Sequence, residues 1–151
     1  MQQIYQAFAR GDVPGILEHI ANDLRAFAVV SELEDVPWHR QITRKADVPS
    51  FFMALASECE FTRFEPRDLA AGGDHVYCTI SYDVTMKRNG RKLSFDHGVH
   101  CFTFRNGRVV EWHGTEDTAK THQAPCIIRT GAWRTRRLSQ METEVSPWLR
   151  R

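Results

Sequence analysis

The sequence predicts an α+β domain in which helices come first and an antiparallel meander follows. Three observations indicate this order. Apolar residues recur at helical spacing in residues 1–20 and again in residues 48–55, whereas apolar and polar residues alternate with period two after residue 58. In addition, Asn89-Gly90 and Asn106-Gly107 separate alternating segments, and Asn-Gly pairs are typical of hairpin turns.

The first 20 residues predict two short helices. Ile4, Ala7 and Phe8 repeat at helical spacing, and Gly11 ends that helix. Asp12 can cap the second helix, because its carboxylate can accept from the free backbone amides of the first turn.

One strand, a loop and a third helix are predicted next. Residues 24–30 are short, apolar and β-prone, which predicts the first strand. Residues 31–44 have no regular period and are interpreted as a loop that carries Trp38. Asp47 is expected to cap a third helix, with Phe52 on its buried side.

The rest of the domain predicts four antiparallel strands. Residues 61–71 and 76–84 alternate on either side of a Gly-Gly-Asp turn, and residues 95–118 supply two more strands around Asn106-Gly107. We predict a three-residue loop with Gly107 in a left-handed bulge position, because His100 then pairs with Trp112 and the aromatic residues of the hairpin share one face without Glu111. The alternative two-residue loop would place His100 opposite His113.

That register sorts the side chains of the last hairpin into two faces. His100 falls on the core face and should be buried, whereas His113 falls on the other face and should not be. The outer face is mixed in polarity, which is typical of a subunit surface and predicts a two-fold homodimer. Its residues are Val99, Cys101, Thr103, Val109 and Glu111.

Length and composition restrict the classes of protein. A chain of 151 residues with 42% hydrophobic and 26% charged residues is typical of one globular domain. Its net charge of +1 does not suggest nucleic acid or an acidic membrane as partner. The four cysteines form no C-x-x-C pair, and no signal peptide or long apolar run is visible, so a cytoplasmic location is expected.

Residues 125–151 form a basic tail. It holds six arginines against two glutamates and has no steady period. We expect a surface arm that is in part disordered; the alternative is a basic arm that binds a partner.

The segments "ARGDVPGILEHIANDL", "RKADVPSFFMAL" and "HCFTFRNGRVVEW" occur in an order that resembles the SnoaL-like and ketosteroid-isomerase-like branch of the nuclear transport factor 2-like superfamily. The resemblance covers residues 1–124. It implies a cone-shaped, strongly bent antiparallel sheet wrapped around the N-terminal helices, an α+β barrel with a deep apolar pocket. It also implies dimers that form through the outer face of the sheet.

The same resemblance implies candidate catalytic positions. Ketosteroid isomerases use a helical tyrosine and a base aspartate, and these positions fall on Ile4 and Ala28, which argues against steroid isomerisation. The position of a third acid falls on His100. SnoaL-like polyketide cyclases use an aspartate near the end of the last strand, which matches Asp117, with Glu116 beside it.

His100, Glu116 and Asp117 are therefore the candidate catalytic residues. A neutral imidazole can accept and donate protons near physiological pH, and a carboxylate in a dry pocket suits general acid–base catalysis. The alternatives are a buried structural histidine, hydrogen-bonded to Tyr5 or to the backbone, and a solvated strand end. The candidate ligand-binding residues are aromatic: Tyr5, Trp38, Phe52, Tyr82, Phe102, Phe104 and Trp112.

The functional hypothesis is a small-molecule pocket protein. Acid–base catalysis of the isomerase, cyclase or dehydratase type, without a cofactor, is expected on a small apolar or cyclic carbonyl compound; the alternative is a non-catalytic ligand-binding or dimerisation module. No metal site is expected, because His97 and His100 point to opposite sides of one strand. Epoxide hydrolysis would need an inward Asp–Arg–Asp group, and the core strands show no inward arginine.

Overall fold

The computed structural model describes residues 1–30 and 36–123. The basic tail at 125–151 lies outside the described residues. Within the described part the helices and strands are α1 (Gln2–Ala9), α2 (Val13–Glu18), β1 (Ala26–Val29), α3 (Val48–Glu58), β2 (Cys59–Gly72), β3 (His75–Met86), β4 (Lys92–Arg105), β5 (Arg108–Thr115) and α4 (Thr118–Gln123). Two 3₁₀ turns, Pro37–His39 and Lys45–Asp47, precede α3.

The predicted α+β class is confirmed. One curved, open sheet of five strands has the order β1-β5-β4-β3-β2, and helices α1 to α3 pack against one of its faces. The antiparallel meander β2 to β5 follows the predicted order. The parallel pairing of β1 with β5 was not predicted, because contacts between distant segments leave no local sequence pattern.

The N-termini of α2 and α3 differ in their capping. The Asp12 carboxylate accepts from the Gly15 amide at 2.9 Å and caps α2, as predicted. Asp47 is the N-cap residue of α3, as predicted, but its side chain makes no cap hydrogen bond. Its carboxylate instead accepts from Nε of Arg44 at 2.7 Å.

The predicted three-residue loop between β4 and β5 is wrong. Asn106 and Gly107 have φ of 51° and 74° and form a two-residue loop with Arg105 opposite Arg108. Phe104 pairs with Val109, whereas the preceding residue Thr103 pairs with Glu111. Val110 is therefore an extra residue in β5 and forms a β-bulge there. A bulge of this kind increases local twist.

The bulge restores the segregation of faces that motivated the prediction. His100 pairs with Gly114 rather than with Trp112 or His113. His100 therefore shares a face with the buried Phe102 and Trp112, while His113 lies on the other face. The two histidines are both half-buried, so the predicted contrast in their burial is not found.

The core lies between the helices and one face of the sheet. Ile4 and Ala7 of α1, Ile16 of α2 and Phe51 of α3 are buried there against sheet residues such as Ile80. Val109, expected on the outer face, is 1% exposed and belongs to this core. The two-residue loop and the bulge account for the difference, since they place both valines of β5 in buried positions.

Candidate functional site

A cavity of about 110 Å³ lies within this core, between α1, α3 and the sheet. Twelve aromatic residues line it: Tyr5, Phe8, Phe27, Trp38, Phe51, Phe52, Phe61, Phe64, Tyr82, Phe95, Phe102 and Trp112. The polar atoms in the wall are few and are contributed mainly by His100, Glu116 and the hydroxyls of Tyr5, Tyr82 and Thr121. An apolar cavity with a small number of placed polar groups is typical of a small-molecule site.

His100 lies in the wall with one ring nitrogen occupied. Its Nδ1 is 3.1 Å from the hydroxyl of Tyr5, and its ring lies edge-on to Trp112 with centroids 5.0 Å apart. Nε2 makes no hydrogen bond to any described residue, so it is available to a molecule in the cavity. If Tyr5 donates to Nδ1, the ring proton is on Nε2 and the imidazole is a neutral donor.

Because Gly114 has no side chain, the rings of His100 and Trp112 can occupy the space beside it. A Cβ at Gly114 would lie 3.0 Å from Cζ2 of Trp112 and 3.4 Å from Cδ2 of His100. Because this glycine is the partner of His100 in the ladder, the cross-strand position carries no side chain that could cover the imidazole.

The bulge also brings Glu116 nearer to His100. With Trp112 as the partner of His100, Glu116 would lie four residues along β5, or about 13 Å. With Gly114 as the partner it lies only two residues further, or about 7 Å along the strand direction. Both side chains line the one cavity.

Three donors surround the carboxylate of Glu116. Oε1 lies 2.9 Å from Nε2 of His39 and accepts from the hydroxyl of Thr121 at 2.7 Å. Oε2 accepts from the hydroxyl of Tyr82 at 2.8 Å. Three of the roughly four lone-pair sites of a carboxylate are therefore occupied, and one is left for a ligand.

Burial and these hydrogen bonds determine the charges in the cavity. Burial lowers the pKa of His100 to about 3, although the negative charge of Glu116 acts in the opposite direction. Burial raises the pKa of Glu116, but the hydrogen bonds from His39, Thr121 and Tyr82 outweigh it and place the pKa below its usual value. At neutral pH the cavity thus contains a neutral imidazole and an ionised carboxylate.

The two tyrosines in the wall stay protonated. Burial raises the pKa of Tyr5, and the neighbouring Cys78 raises it further. Burial also raises the pKa of Tyr82, followed by the effect of Glu116. Both hydroxyls are therefore hydrogen-bond donors at neutral pH.

The sequence-predicted residues divide between the cavity and its surroundings. Six of the seven aromatic candidates line the cavity, and the seventh, Phe104, is half-buried beside it with its ring 6.2 Å from Phe102. Asp117 is exposed, and its carboxylate accepts from the backbone amide of Lys120 at 3.1 Å, so it caps α4 instead of facing the cavity.

His39 and Thr121 were missed by sequence reasoning. No sequence pattern gives His39 a partner, yet its side chain is 1% exposed and bonded to Glu116. A single 3₁₀ turn has no periodicity, and the only available signal was its neighbour Trp38, a tryptophan in a loop. Thr121 lies on α4, a helix of six residues that was not predicted.

No group of three histidine, cysteine, aspartate or glutamate residues in the described part of the chain could hold a metal ion. None of the described helices is long and apolar enough to cross a membrane.

Comparison with known proteins places this geometry in a family. The model of the SnoaL-like domain matches residues 1–112. The chain belongs to the SnoaL-like domain family. No curated protein matches the sequence.

Solved structures of SnoaL-like and related proteins have the same fold. A nuclear transport factor 2-like protein of unknown function from Burkholderia pseudomallei is 25% identical, with a TM-score of 0.74, over 81% of this chain and 91% of that chain. TerC, co-crystallised with polyporic acid, is 23% identical, with a TM-score of 0.72, over 81% and 92%. A putative SnoaL-like polyketide cyclase from Mesorhizobium loti is 21% identical, with a TM-score of 0.61, over 75% and 92%.

Two positions that carry functional groups in ketosteroid isomerases fall on Ile4 and Ala28 in this SnoaL-like chain, and neither side chain is polar. Ile4 and Tyr5 both line the cavity, so the tyrosine reaches it although it is displaced by one residue on α1. Ala28, at the position of the isomerase base, is buried but is not part of the wall. The carboxylate in this cavity comes instead from Glu116, after the last strand.

Proposed function

We propose that this SnoaL-like protein catalyses acid–base chemistry, without a cofactor, on a small apolar or cyclic carbonyl compound. Isomerisation, cyclisation and dehydration share one step, the removal of a proton next to a carbonyl group. The observation that carries the proposal is the pairing in one aromatic cavity of an unoccupied His100 Nε2 with the ionised carboxylate of Glu116.

The proton would move between the substrate and Glu116. Nε2–H of His100 donates to the carbonyl oxygen, and the free lone pair of Glu116 takes the proton from the adjacent carbon. The C–H bond breaks, and its electron pair moves to the carbonyl oxygen to form an enolate. A donor aimed at the oxygen where charge develops stabilises the transition state, and Glu116 returns the proton at another position.

The names of related structures support this class of reaction. One neighbour is described as a putative SnoaL-like polyketide cyclase and another, from Rhodopseudomonas palustris, as a putative isomerase. Each lies below 25% identity, so each supports the fold directly and the reaction class only by analogy.

A structural neighbour from Mycobacterium tuberculosis is an epoxide hydrolase of the LEH-like type, which makes that reaction a further candidate. An arginine between two aspartates does occur: Arg63 lies 2.7 Å from Asp83 and 3.3 Å from Asp96. All three residues lie outside the cavity wall and are partly exposed to solvent. The position of this group does not favour epoxide hydrolysis.

Proton exchange tests the proposal without knowledge of the product. In D₂O, wild-type protein should speed the loss of the α-proton signals of small cyclic ketones in the NMR spectrum. His100→Phe and Glu116→Gln should each reduce that exchange about a hundredfold, because each removes one of the two groups. Asp117→Asn is the matched control, since Asp117 is exposed, and it should exchange at the wild-type rate.

A non-catalytic ligand-binding module is the second candidate. The low pKa of Glu116 and its three hydrogen-bond donors favour it, because they make the carboxylate a weak base. If wild-type protein binds cyclic ketones but exchanges their protons no faster than buffer, the binding module is the better interpretation.

Two sequence-based expectations remain part of the proposal. A two-fold homodimer through the outer sheet face is supported by the mixed polarity of Val99, Cys101 and Glu111, which keep part of their surface exposed in the single chain. A cytoplasmic location stays a prediction from the sequence.

A further inference from the structure

We infer that the ligand of this cavity is an uncharged single-ring compound with a hydrogen-bond acceptor at one position and a donor, or an acidic C–H, at another. This inference rests on the site of the proposed function, but it concerns which molecules bind rather than whether they react.

The charge of the wall excludes anions. Glu116 carries a carboxylate that three donors hold in the ionised form, and its side chain is only 10% exposed. The other polar group that a ligand meets, His100, is neutral, so it supplies no positive charge to balance an anionic ligand. A second carboxylate in the same cavity should therefore bind at least roughly tenfold more weakly than its uncharged counterpart.

The size of the cavity favours one ring. Its volume is about 110 Å³, which is less than the roughly 150 Å³ of an apolar cavity that takes up benzene in another protein, so one ring is the upper limit. The rings of Phe27, Phe51 and Trp112 contact one another at centroid distances of 4.5–5.5 Å, with Phe51 edge-on to the other two, so this side of the wall is already close-packed and leaves little room for expansion.

The two polar groups determine which substituents the ring needs. His100 and Glu116 line the same cavity, and Glu116 lies two residues beyond Gly114, the ladder partner of His100, so the two groups reach a bound ring from different positions. Nε2–H of His100 would bind the acceptor, and the free lone pair of Glu116 would bind the donor.

A matched set of aromatic compounds tests the inference by equilibrium titration of tryptophan fluorescence, slightly below neutral pH. para-Hydroxyacetophenone has both groups, acetophenone lacks the donor, and para-hydroxybenzoate replaces the acetyl group with a carboxylate of similar size. A steroid ketone tests the size limit. We expect para-hydroxyacetophenone to bind most tightly and para-hydroxybenzoate at least tenfold more weakly.

The Glu116→Gln variant removes the negative charge of the side chain while keeping its size, so it tests whether charge determines which ligands bind. Glutamine keeps the size of the side chain and one of the two oxygens, which can still accept from either Thr121 or Tyr82. A thermal unfolding curve close to wild type verifies the fold. The preference for para-hydroxyacetophenone over para-hydroxybenzoate should fall to less than threefold in this variant. His100→Phe should lower the affinity for acetophenone and leave that for phenol unchanged.

Three outcomes would overturn the inference: equal affinity of wild type for the acetyl and carboxylate compounds, an unchanged preference in Glu116→Gln, or tighter binding of the steroid ketone. These are binding results, so they are independent of proton exchange. If the compounds bind with the expected affinities but no proton exchange occurs, the ligand class stands and the proposed catalysis is refuted. If proton exchange occurs but the affinities differ from those expected, the catalysis stands and the ligand class is refuted.

Discussion

Nε2 of His39 lies 2.9 Å from Oε1 of Glu116, and the two residues are 77 positions apart in the chain. Glu116 also accepts from Thr121 and Tyr82, so one carboxylate connects the Pro37–His39 turn, the third strand and α4. Since buried carboxylates are stable only when donors satisfy them, these donors are required for Glu116 to stay ionised in an aromatic cavity.

Replacing His39 should therefore weaken the fold and change the titration of Glu116. His39→Phe removes one donor from a buried charged acceptor, which should cost about 1.5–3 kcal/mol in the free energy of unfolding. The pKa of Glu116 should rise, because the imidazole contributes to lowering it. Urea unfolding and carbon-detected NMR of the carboxyl group measure the two effects.

His39→Gln is the matched control. Its amide retains an N–H donor, so most of the lost stability and the low pKa should return. An unchanged pKa of Glu116 in His39→Phe would contradict a role for the imidazole in stabilising the carboxylate.

His100, in the cavity wall, should make the protein less stable in acid. In the unfolded chain this histidine binds a proton near pH 6.5, whereas in the folded chain burial lowers its pKa to about 3. Between these values the unfolded state binds more protons. The free energy of unfolding should therefore fall as the pH decreases below 6.5, by up to about 1.4 kcal/mol per pH unit from this group.

His100→Phe isolates that contribution. Urea unfolding between pH 7 and pH 5 should show a shallower pH dependence for the variant, by close to one proton. Glu116 does not interfere in this range, because a carboxylate with a lowered pKa loses its stabilising effect only as the pH falls below about 4.5. Equal slopes for the two proteins would mean that His100 is accessible to protons in the folded state.

Tyr5 should determine which nitrogen of His100 carries the proton. Its hydroxyl is 3.1 Å from Nδ1, and a donor there leaves the proton on Nε2. Tyr5→Phe removes one neutral hydrogen bond of about 1 kcal/mol, so the other tautomer should become populated and proton exchange should fall roughly fivefold. Nitrogen NMR of the imidazole distinguishes the tautomers.

The exposed Tyr77, which is 44% accessible, provides the comparison. Tyr77→Phe should change neither the tautomer of His100 nor the rate of exchange. If the spectrum of Tyr5→Phe equals that of wild type, the hydroxyl does not control the tautomer.

Local patterns predicted the class and order of elements, but pairing between distant segments did not follow from them. Helical spacing and Asn-Gly turns located α1 to α3 and the meander, because each depends on neighbouring residues. The extra residue at Val110 could not be predicted, since a bulge is determined by packing on both sides of a strand.

The residues of the candidate site were also predicted only in part. The register of the hairpin and the family resemblance indicated His100, and the resemblance indicated Glu116 and Asp117. Counting from the hairpin did not separate Glu116 from Asp117, however, and His39 contributes to the site only through a contact across 77 residues. Whether these residues act in catalysis stays a prediction.

The outer face of the sheet should form a dimer. Val99, Cys101 and Glu111 are half-buried there, and Thr103 is 8% exposed. Wild-type protein should scatter light as a dimer at tens of micromolar. Cys101→Arg places a charge in that surface and should give a monomer with an unchanged circular dichroism spectrum; a wild-type monomer at that concentration would contradict the assembly.

Gly114 should not tolerate a side chain, because two rings of the site occupy the space beside it. A Cβ would lie 3.0 Å from Cζ2 and 3.1 Å from Cη2 of Trp112, and 3.4 Å from Cδ2 of His100. Gly114→Ala should therefore displace the indole and cost about 1–3 kcal/mol in the free energy of unfolding. Gly72→Ala is the control, since nothing lies within 4 Å of a Cβ at the exposed end of β2, and it should stay within about 0.5 kcal/mol of wild type. Urea unfolding with tryptophan fluorescence measures both stability and the environment of Trp112. Equal stability of the two variants would mean that the indole moves at no cost and that Gly114 does not shape the cavity.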